Sequence, residues 1–170
     1  YLAWKMRSLN YKTRFIDLAS EVNSAMPDYV VEKISWALND DRKSVKGSKV
    51  LVLGVAYKRD IDDMRESPAL DVMRLLEERG AQVVYHDPHV PMFREEGHEM
   101  HGVPLTDTLL AEVDAAVVIT DHKSVDYQRI VDQCALVIDA RNVTSKLKPG
   151  RARLVQLTSS KSHVAPEHHG

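Results

Sequence analysis

The stretch that decides the fold is KVLVLGVAYKRDIDDMRESP, residues 49–68. It begins as an apolar run typical of a buried β-strand and continues as a long polar turn. A strand-to-helix turn in a parallel α/β sheet commonly binds ligands, and a glycine-rich turn there holds a pyrophosphate on backbone N–H groups. This turn contains only Gly54, so an anion would have to be held by the side chains of Lys58, Arg59 and Arg65.

Helical and strand-like patterns alternate along the rest of the chain. The predicted strands cover 49–56, 82–86, 115–120, 135–139 and 153–157, and the predicted helices cover 68–79, 106–112 and 124–132. Ser67 is the predicted N-cap of the helix at 68–79, Pro68 its first residue and Gly80 its C-cap. The segment 87–104, rich in Pro, His and Gly, is predicted to be a long connection. This alternation predicts an α/β fold: a Rossmann-like three-layer domain with a parallel sheet, preceded by an N-terminal helical segment.

The N-terminal segment is predicted to be helical with a kink or break at Pro27. Residues 14–38 carry apolar side chains at helical spacing on both sides of this proline. The chain opens without an initiator methionine or an N-cap residue, so we expect it to be part of a longer protein. The apolar stripe is expected to mediate association between copies unless it folds back on the α/β core. A chain that begins near Lys46 is expected to be monomeric and to close its own core.

Composition argues against several classes of function. The 170 residues are 44% hydrophobic and 28% charged, with a net charge of -2, which gives no reason to expect binding to nucleic acid or to a membrane surface. We expect neither a membrane span nor a signal peptide. The single cysteine, Cys134, lies in an apolar run and is predicted to be a buried thiol rather than a nucleophile. These features favour a cytoplasmic location.

Polar side chains follow the predicted strands at their carboxyl ends. Right-handed crossovers place these ends on one edge of a parallel sheet. The residues expected at this edge include Tyr57, Lys58, Asp87, Asp121, His122, Arg141 and Asn142. Together, Lys58, Arg65 and Arg141 would place three cations where such a sheet binds a nucleotide, and their donors suit a diphosphate. The sequence therefore predicts a phosphate-binding cleft at this edge.

Two alternatives remain open at the same edge. The acidic residues Asp60, Asp62, Asp63 and Glu66 could pair with the cations of the turn and neutralise it. Asp87 stands where a dinucleotide-binding fold has its ribose-binding acid, but an Asp-Pro pair also simply ends a strand.

Neither a metal site nor a catalytic centre is predicted. The histidines that invite a metal hypothesis are His86, His89, His98, His101 and His122. They have no cysteine partner and no helical register. No Ser-His-Asp or Cys-His arrangement falls on a nucleophile elbow, and no nicotinamide site is recognisable. From its own residues, the chain is predicted to bind a ligand without catalysing a reaction.

The segment GVAYKRDIDDMRESPALDVMRLLEERGAQVVYHDP resembles the signature of the C-terminal domain of nucleotide-sugar 6-dehydrogenases, which oxidise UDP-sugars to UDP-uronic acids. The shared motif is G-x-A-[FY]-K-x-x-x-x-D-x-R-x-S-P. The stretches YLAWKMR and TRFIDLASEVNSAMP resemble the region after the catalytic cysteine loop of that family, including part of its central dimer-forming helix. The resemblance covers residues 1–150 and is closer to the branch that acts on UDP-N-acetylhexosamines than to the UDP-glucose branch.

The resemblance implies roles for particular residues. Tyr57, Lys58 and Arg141 match positions that contact the UDP-sugar, and Arg65 matches an arginine that reaches the NAD pyrophosphate. NAD itself would be bound mainly by an N-terminal domain missing from this chain, which also lacks the family's catalytic cysteine. The chain alone is therefore expected to be inactive, with no catalytic residue of its own.

The resemblance also implies a domain organisation. Residues 1–45 would belong to the central helical dimerisation region, 46–158 to the C-terminal UDP-sugar-binding domain, and 159–170 to a flexible tail. The intact enzyme would be a homodimer through the N-terminal helices. Two other interpretations remain: a non-catalytic nucleotide-binding or regulatory module that shares the fold, and an interaction domain that uses the helix at 14–38.

Overall fold

The computed structural model describes residues 25–59, 64 and 67–157. The described chain begins in a helix, α1, over 25–40. The strands are β1 (Lys49–Leu53), β2 (Gln82–His86), β3 (Met92–Glu95), β4 (His98–His101), β5 (Ala115–Val118), β6 (Leu136–Asp139) and β7 (Arg153–Gln156). The other helices are α2 (Pro68–Glu78), α3 (Asp107–Glu112) and α4 (Tyr127–Gln133). Each element predicted from residue 49 onward is present, and most are shorter than predicted.

Five of these strands form one parallel sheet in the order β2-β1-β5-β6-β7. From β1 the chain crosses outward to β2, and it later returns to β5 and proceeds through β6 to β7 on the other side. Strands β1 and β5 are therefore neighbours at the point where the winding direction changes. The predicted α/β fold with a parallel sheet is confirmed.

Alternate residues of β1 face two separate hydrophobic layers. Val50 and Val52 pack in the layer formed with α1 and α2. Leu51 and Leu53 pack on the opposite side with residues of α3 and α4. The sheet is thus covered on both faces, which explains why its strands read as continuous apolar runs. Among the described residues, none of the helices has the length and apolar character needed to cross a membrane.

Helix α2 begins as its sequence predicts and ends one residue earlier than predicted. The Ser67 hydroxyl accepts a hydrogen bond from the Ala69 N–H at 3.3 Å, and Pro68 occupies the first helical position. At the other end, Arg79 is the C-cap, and Gly80 follows it with a left-handed φ of +88°. Glycine is favoured there because it has no Cβ to strain.

The segment 87–104 is not a plain connection, because it contains the antiparallel hairpin β3–β4. Its turn uses Glu96 and Gly97, both with positive φ, in place of the more common Asn-Gly or Asp-Gly. The Phe93 ring packs on Tyr85 with 5.2 Å between ring centroids. The hairpin escaped prediction because β4, HEMH, carries no alternating apolar pattern.

Helix α1 is part of the core of the α/β domain. The described chain is helical from residue 25 through Pro27 to residue 40, so the chain has no break within this range, and a kink at Pro27 stays a prediction. Its inner face contributes five buried side chains to the layer shared with β1 and α2: Val30, Val31, Ile34, Ala37 and Leu38. The expectation that a chain beginning near Lys46 closes its own core is therefore wrong. Residues 14–24 of the predicted stripe lie outside the described chain.

Gly54 lies where the turn after β1 passes the turn after β5. Its φ is +83°, and a Cβ built on it would lie 1.9 Å from the carbonyl oxygen of Thr120. The Thr120 hydroxyl in turn donates to the Ala56 carbonyl at 2.7 Å. The two turns thus touch through backbone atoms at the switch point, and only glycine fits there.

Replacing Gly54 with alanine is expected to lower the free energy of unfolding by roughly 3 kcal/mol or more, because left-handed strain adds to a clash with backbone. Gly47 is the matched control, since its φ is +84° but nothing lies within 4 Å of a Cβ placed on it. Gly47→Ala is expected to lose only about 1 kcal/mol. Urea denaturation of both variants checks the difference, and equal losses would contradict the tight approach at Thr120.

A chain that begins at Lys46 is expected to lose its cooperative unfolding transition, because it removes the helix that covers part of one sheet face. Two point variants separate the two faces of α1. Ile34→Ala, in the core, is expected to lose about 3 kcal/mol, whereas Trp36→Ala, on the exposed face, should lose less than about 1 kcal/mol. Circular dichroism during urea unfolding provides the measurement. An undiminished, cooperative transition in the shortened chain would show that α1 is dispensable.

Candidate functional site

The candidate site lies at the carboxyl edge of the sheet, beyond β1 and β5. Ligands of open α/β sheets bind in the crevice at such a switch point. The segment after β1 carries Tyr57, Lys58 and Arg59, the segment after β5 carries Asp121, and the segment after β6 carries Arg141. Charged groups from three neighbouring strands therefore share this edge, as the sequence predicts.

The carboxylate of Asp87 fixes the segment that follows β1. Its Oδ2 accepts hydrogen bonds from the N–H groups of Val55 and Ala56, at 2.9 and 3.0 Å, and lies 2.9 Å from Nε2 of His122. Its Oδ1 accepts from the His89 N–H at 2.8 Å. Burial raises the pKa of Asp87, but these hydrogen bonds outweigh burial and leave that pKa below its usual value. The carboxylate is saturated by protein donors, which favours the turn interpretation of Asp87 over ribose binding.

Tyr57 and Lys58 follow directly on the residues that Asp87 fixes. Tyr57 is 44% exposed, and Nζ of Lys58 lies 5.4 Å from the centroid of its ring. Their side chains therefore project from a fixed backbone into solvent. An aromatic ring offers a stacking surface, and an ammonium group offers a point charge for an anion.

Asp121 pairs with two arginines from different segments. Its Oδ2 pairs with Nη2 of Arg59, and its Oδ1 accepts from Nε of Arg141 at 3.2 Å. The Asp121 side chain is 8% exposed, whereas those of Arg59 and Arg141 are 52% and 51% exposed. Burial raises the pKa of Asp121, but hydrogen bonds from both guanidinium groups outweigh it and lower that pKa overall. Asp121 is therefore ionised at neutral pH.

Asp139 fixes the loop that carries Arg141. Its Oδ1 accepts the Arg141 N–H at 2.9 Å, and its Oδ2 accepts the N–H and the hydroxyl of Thr144, at 2.9 and 2.6 Å. Gln156 on β7 donates to the same hydroxyl at 3.0 Å. Within this loop, Asn142 adopts a left-handed φ of +61°. The backbone of Arg141 is thus fixed by a buried carboxylate. In a similar way, Asp87 fixes the backbone just before Tyr57 and Lys58.

Three of the histidines considered for a metal site have other partners, and one of them is His122, which contacts Asp87. Nδ1 of His86 lies 2.7 Å from the Val103 carbonyl oxygen, and Nε2 of His101 lies 2.6 Å from a carboxylate oxygen of Glu99 on the exposed hairpin. Within the ranges that the structure describes, no group of three or more His, Cys, Asp or Glu residues could hold a metal ion.

The predicted burial of Cys134 is confirmed. The side chain is fully buried in the layer formed with α3 and α4. Burial raises the pKa of its thiol to about 11, so the reactive thiolate is scarce at neutral pH.

Several residues of the predicted site lie outside the described chain. They are Arg65 and the acidic residues Asp60, Asp62, Asp63 and Glu66. The role of Arg65 in cofactor binding, its convergence with the other cations, and neutralisation of the turn by the acidic residues all stay predictions.

Asp121 is predicted at this edge from the sequence, but its arginine partners and the role of Asp139 are not. A usable signal existed, because Asp87, Asp121 and Asp139 each end or closely follow a parallel strand. A carboxylate in such a place must find several donors. For Asp87 and Asp121, donors come from segments that follow other strands.

Comparison with known proteins gives consistent results. Over residues 51–146, more than half of its length, the chain matches the UDP-glucose/GDP-mannose dehydrogenase family, UDP binding domain. It is 30% identical over 148 residues to a UDP-N-acetyl-D-mannosamine dehydrogenase of Methanococcus maripaludis, which covers 82% of this chain and 33% of that protein. It is 34% identical over 141 residues to a UDP-glucose 6-dehydrogenase of Rhizobium meliloti, which covers 78% and 31%. The chain spans about a third of the length of these relatives.

A solved structure agrees with the sequence relatives. The UDP-N-acetyl-mannosamine dehydrogenase from S. aureus superposes with a TM-score of 0.66 at 25% identity, over 87% of this chain and 34% of that chain. The chain belongs to the UDP-glucose/GDP-mannose dehydrogenase family and carries its UDP binding domain.

Proposed function

We propose that the carboxyl edge of this chain binds the diphosphate and nucleoside of a UDP-sugar, with Tyr57, Lys58 and Arg141 as substrate-binding residues. The observation that carries the proposal is the position of these exposed side chains beyond the switch point between β1 and β5. Their chemistry supports it, because guanidinium and ammonium groups complement a diphosphate and an aromatic ring complements a base or sugar. Family membership supports the choice of UDP.

We further propose that the longer protein is an NAD-dependent nucleotide-sugar 6-dehydrogenase that oxidises the C6 alcohol to the uronic acid. The relatives that match this chain are named as dehydrogenases of UDP-N-acetyl-D-mannosamine and of UDP-glucose. The relatives named for UDP-N-acetyl-D-mannosamine support a UDP-N-acetylhexosamine as the substrate. UDP-glucose is the alternative substrate. A cytoplasmic location, which an unpaired cysteine suits, stays a prediction.

NAD would be bound mainly by parts of the enzyme outside this chain. In a dinucleotide-binding fold, the N–H groups after the first strand face the pyrophosphate. In this chain the N–H groups of Val55 and Ala56 instead donate to Asp87, so this turn does not fit a dinucleotide. Arg65 is proposed to contact the NAD pyrophosphate from this domain. When bound, NAD would accept the hydride in the oxidation.

We propose that the intact protein is a homodimer through its N-terminal helices. The inner face of α1 is used by the core, so contact between copies would involve its outer face. There, Met26, Tyr29 and Trp36 are 38%, 45% and 55% exposed. Large exposed side chains of this kind are common in protein interfaces.

A non-catalytic nucleotide-binding or regulatory module is the second candidate for this chain. Its only cysteine, Cys134, is buried with a raised pKa, which favours binding without covalent chemistry when the chain acts alone. The two candidates share the UDP site and differ in whether the longer protein supplies a catalytic cysteine and an NAD site.

Replacing Lys58 with alanine is expected to weaken UDP binding about tenfold, because it removes a cation that faces the diphosphate. The unmodified chain should bind UDP only in the millimolar range, since a partial site encloses the ligand poorly. Lys46→Ala is the matched control, because Lys46 lies beside Gly80 at the opposite edge of the sheet. Isothermal titration calorimetry provides the affinities. Equal effects of the two substitutions would contradict the assignment of Lys58.

The chain alone is expected to produce no NADH from NAD+ and a UDP-sugar, because its single thiol is buried and its first turn does not cradle a dinucleotide. Absorbance of NADH during prolonged incubation provides the measurement. Cys134→Ala is the control and should bind UDP as the unmodified chain does. NADH formation by the purified chain, or loss of UDP binding in a folded Cys134→Ala variant, would contradict this view of Cys134.

A further inference from the structure

Asp121 is shared by two arginines that come from different strand ends. Arg59 follows β1 and Arg141 follows β6, and both contact the carboxylate that lies beyond β5 between them. The carboxylate is nearly buried, while about half of each guanidinium side chain is exposed. Asp121 therefore touches the two arginines from the protein side, and their outer surfaces face solvent.

The charges of this group do not cancel. Two guanidinium groups and one carboxylate leave a net charge of about +1, to which the neighbouring Lys58 adds. A guanidinium has five N–H donors in a planar fork, and a single carboxylate uses few of them. The exposed donors of two arginines held by one acid are suited to two adjacent anionic groups.

We infer that Asp121 is a positioning residue that holds Arg59 and Arg141 as a two-arginine clamp for a diphosphate. Arg59 thereby joins Arg141 as an anion-binding residue, and Asp121 sets the spacing of the two guanidinium groups without touching the ligand. The inference rests on the proposed UDP site and adds two residues to it.

Asp121 has two possible effects on an anion, and they have opposite signs. As a negative charge it repels the ligand and reduces the positive potential, so its removal would strengthen binding. As the group that orders two long side chains, it removes their conformational freedom before the ligand arrives, so its removal would weaken binding. A clamp requires the second effect to be the larger one.

The test compares Asp121→Asn with Glu112→Gln in the full 170-residue chain, with UDP and UMP as ligands. Both substitutions remove one negative charge, but Glu112 is 57% exposed and pairs with Lys49 at the opposite edge of the sheet. Asp121→Asn is expected to weaken UDP binding about tenfold and UMP binding less than about threefold, because only UDP engages both arginines. Glu112→Gln should leave both affinities within about twofold of the unmodified chain. Urea denaturation verifies that both variants are folded.

Variants of Arg59 make the test independent of the stability of Asp121→Asn. Arg59→Gln should weaken UDP binding about tenfold. Arg59→Lys should weaken it less, because lysine keeps the positive charge but lacks the planar set of guanidinium donors. In the double variant, Asp121→Asn should add little to Arg59→Gln, since the clamp is already broken.

The outcomes distinguish failure of the clamp from failure of the UDP site. UDP binding that is equal or tighter in Asp121→Asn, or unchanged in Arg59→Gln, overturns the clamp while the UDP site stands. Equal losses for UDP and UMP also overturn it, because they indicate general loosening of the edge. If the unmodified chain does not bind UDP at all, the proposed function is overturned and the clamp with it.

Discussion

The buried carboxylate of Asp87 is the interaction on which the candidate site depends. It accepts hydrogen bonds from the N–H groups of Val55 and Ala56. These N–H groups lie beyond the end of β1, where the sheet no longer provides hydrogen-bond acceptors. A buried N–H group without an acceptor destabilises the fold by about 1–3 kcal/mol, so this acid determines the path of the chain just before Tyr57 and Lys58. The direction of exposed basic side chains is thus set by an acid on the neighbouring strand end.

The same hydrogen bonds separate this domain from a dinucleotide-binding one. Where the backbone after the first strand is free, it can hold a pyrophosphate. Where an internal carboxylate occupies it, positive charge for an anion has to come from side chains. Arg59 and Arg141 provide such charge and converge on Asp121. A long, charged turn in place of a glycine loop therefore supports the proposal that side chains, rather than backbone N–H groups, bind phosphate at this edge.

Much of the fold was predictable because burial on both faces makes a parallel strand apolar throughout. The runs at β1 and β5 were recognised for this reason, and α2 was recognised from Ser67, Pro68 and Gly80. The hairpin β3–β4 was missed because its contact with the core runs mainly through Phe93 and Met100, too few apolar residues for a periodic signal. The apolar face of α1 was recognised, but its partner was not, because periodicity reports that a face is buried and not what covers it.

The sequence by itself determined the order of the five parallel strands and of helices α2 to α4, the edge of the sheet that carries Tyr57, Lys58 and Arg141, and the buried state of Cys134. These properties follow from local patterns and from the handedness of crossovers. Only the tertiary structure decided that α1 completes the core and that Asp87, Asp121 and Asp139 hold the segments of the site. The pairings of Asp87 and Asp121 join residues distant in sequence. The donors of Asp139 lie nearby, in the loop that follows β6. In each case a carboxylate selects its donors by distances of about 3 Å, which hydrophobic periodicity does not encode.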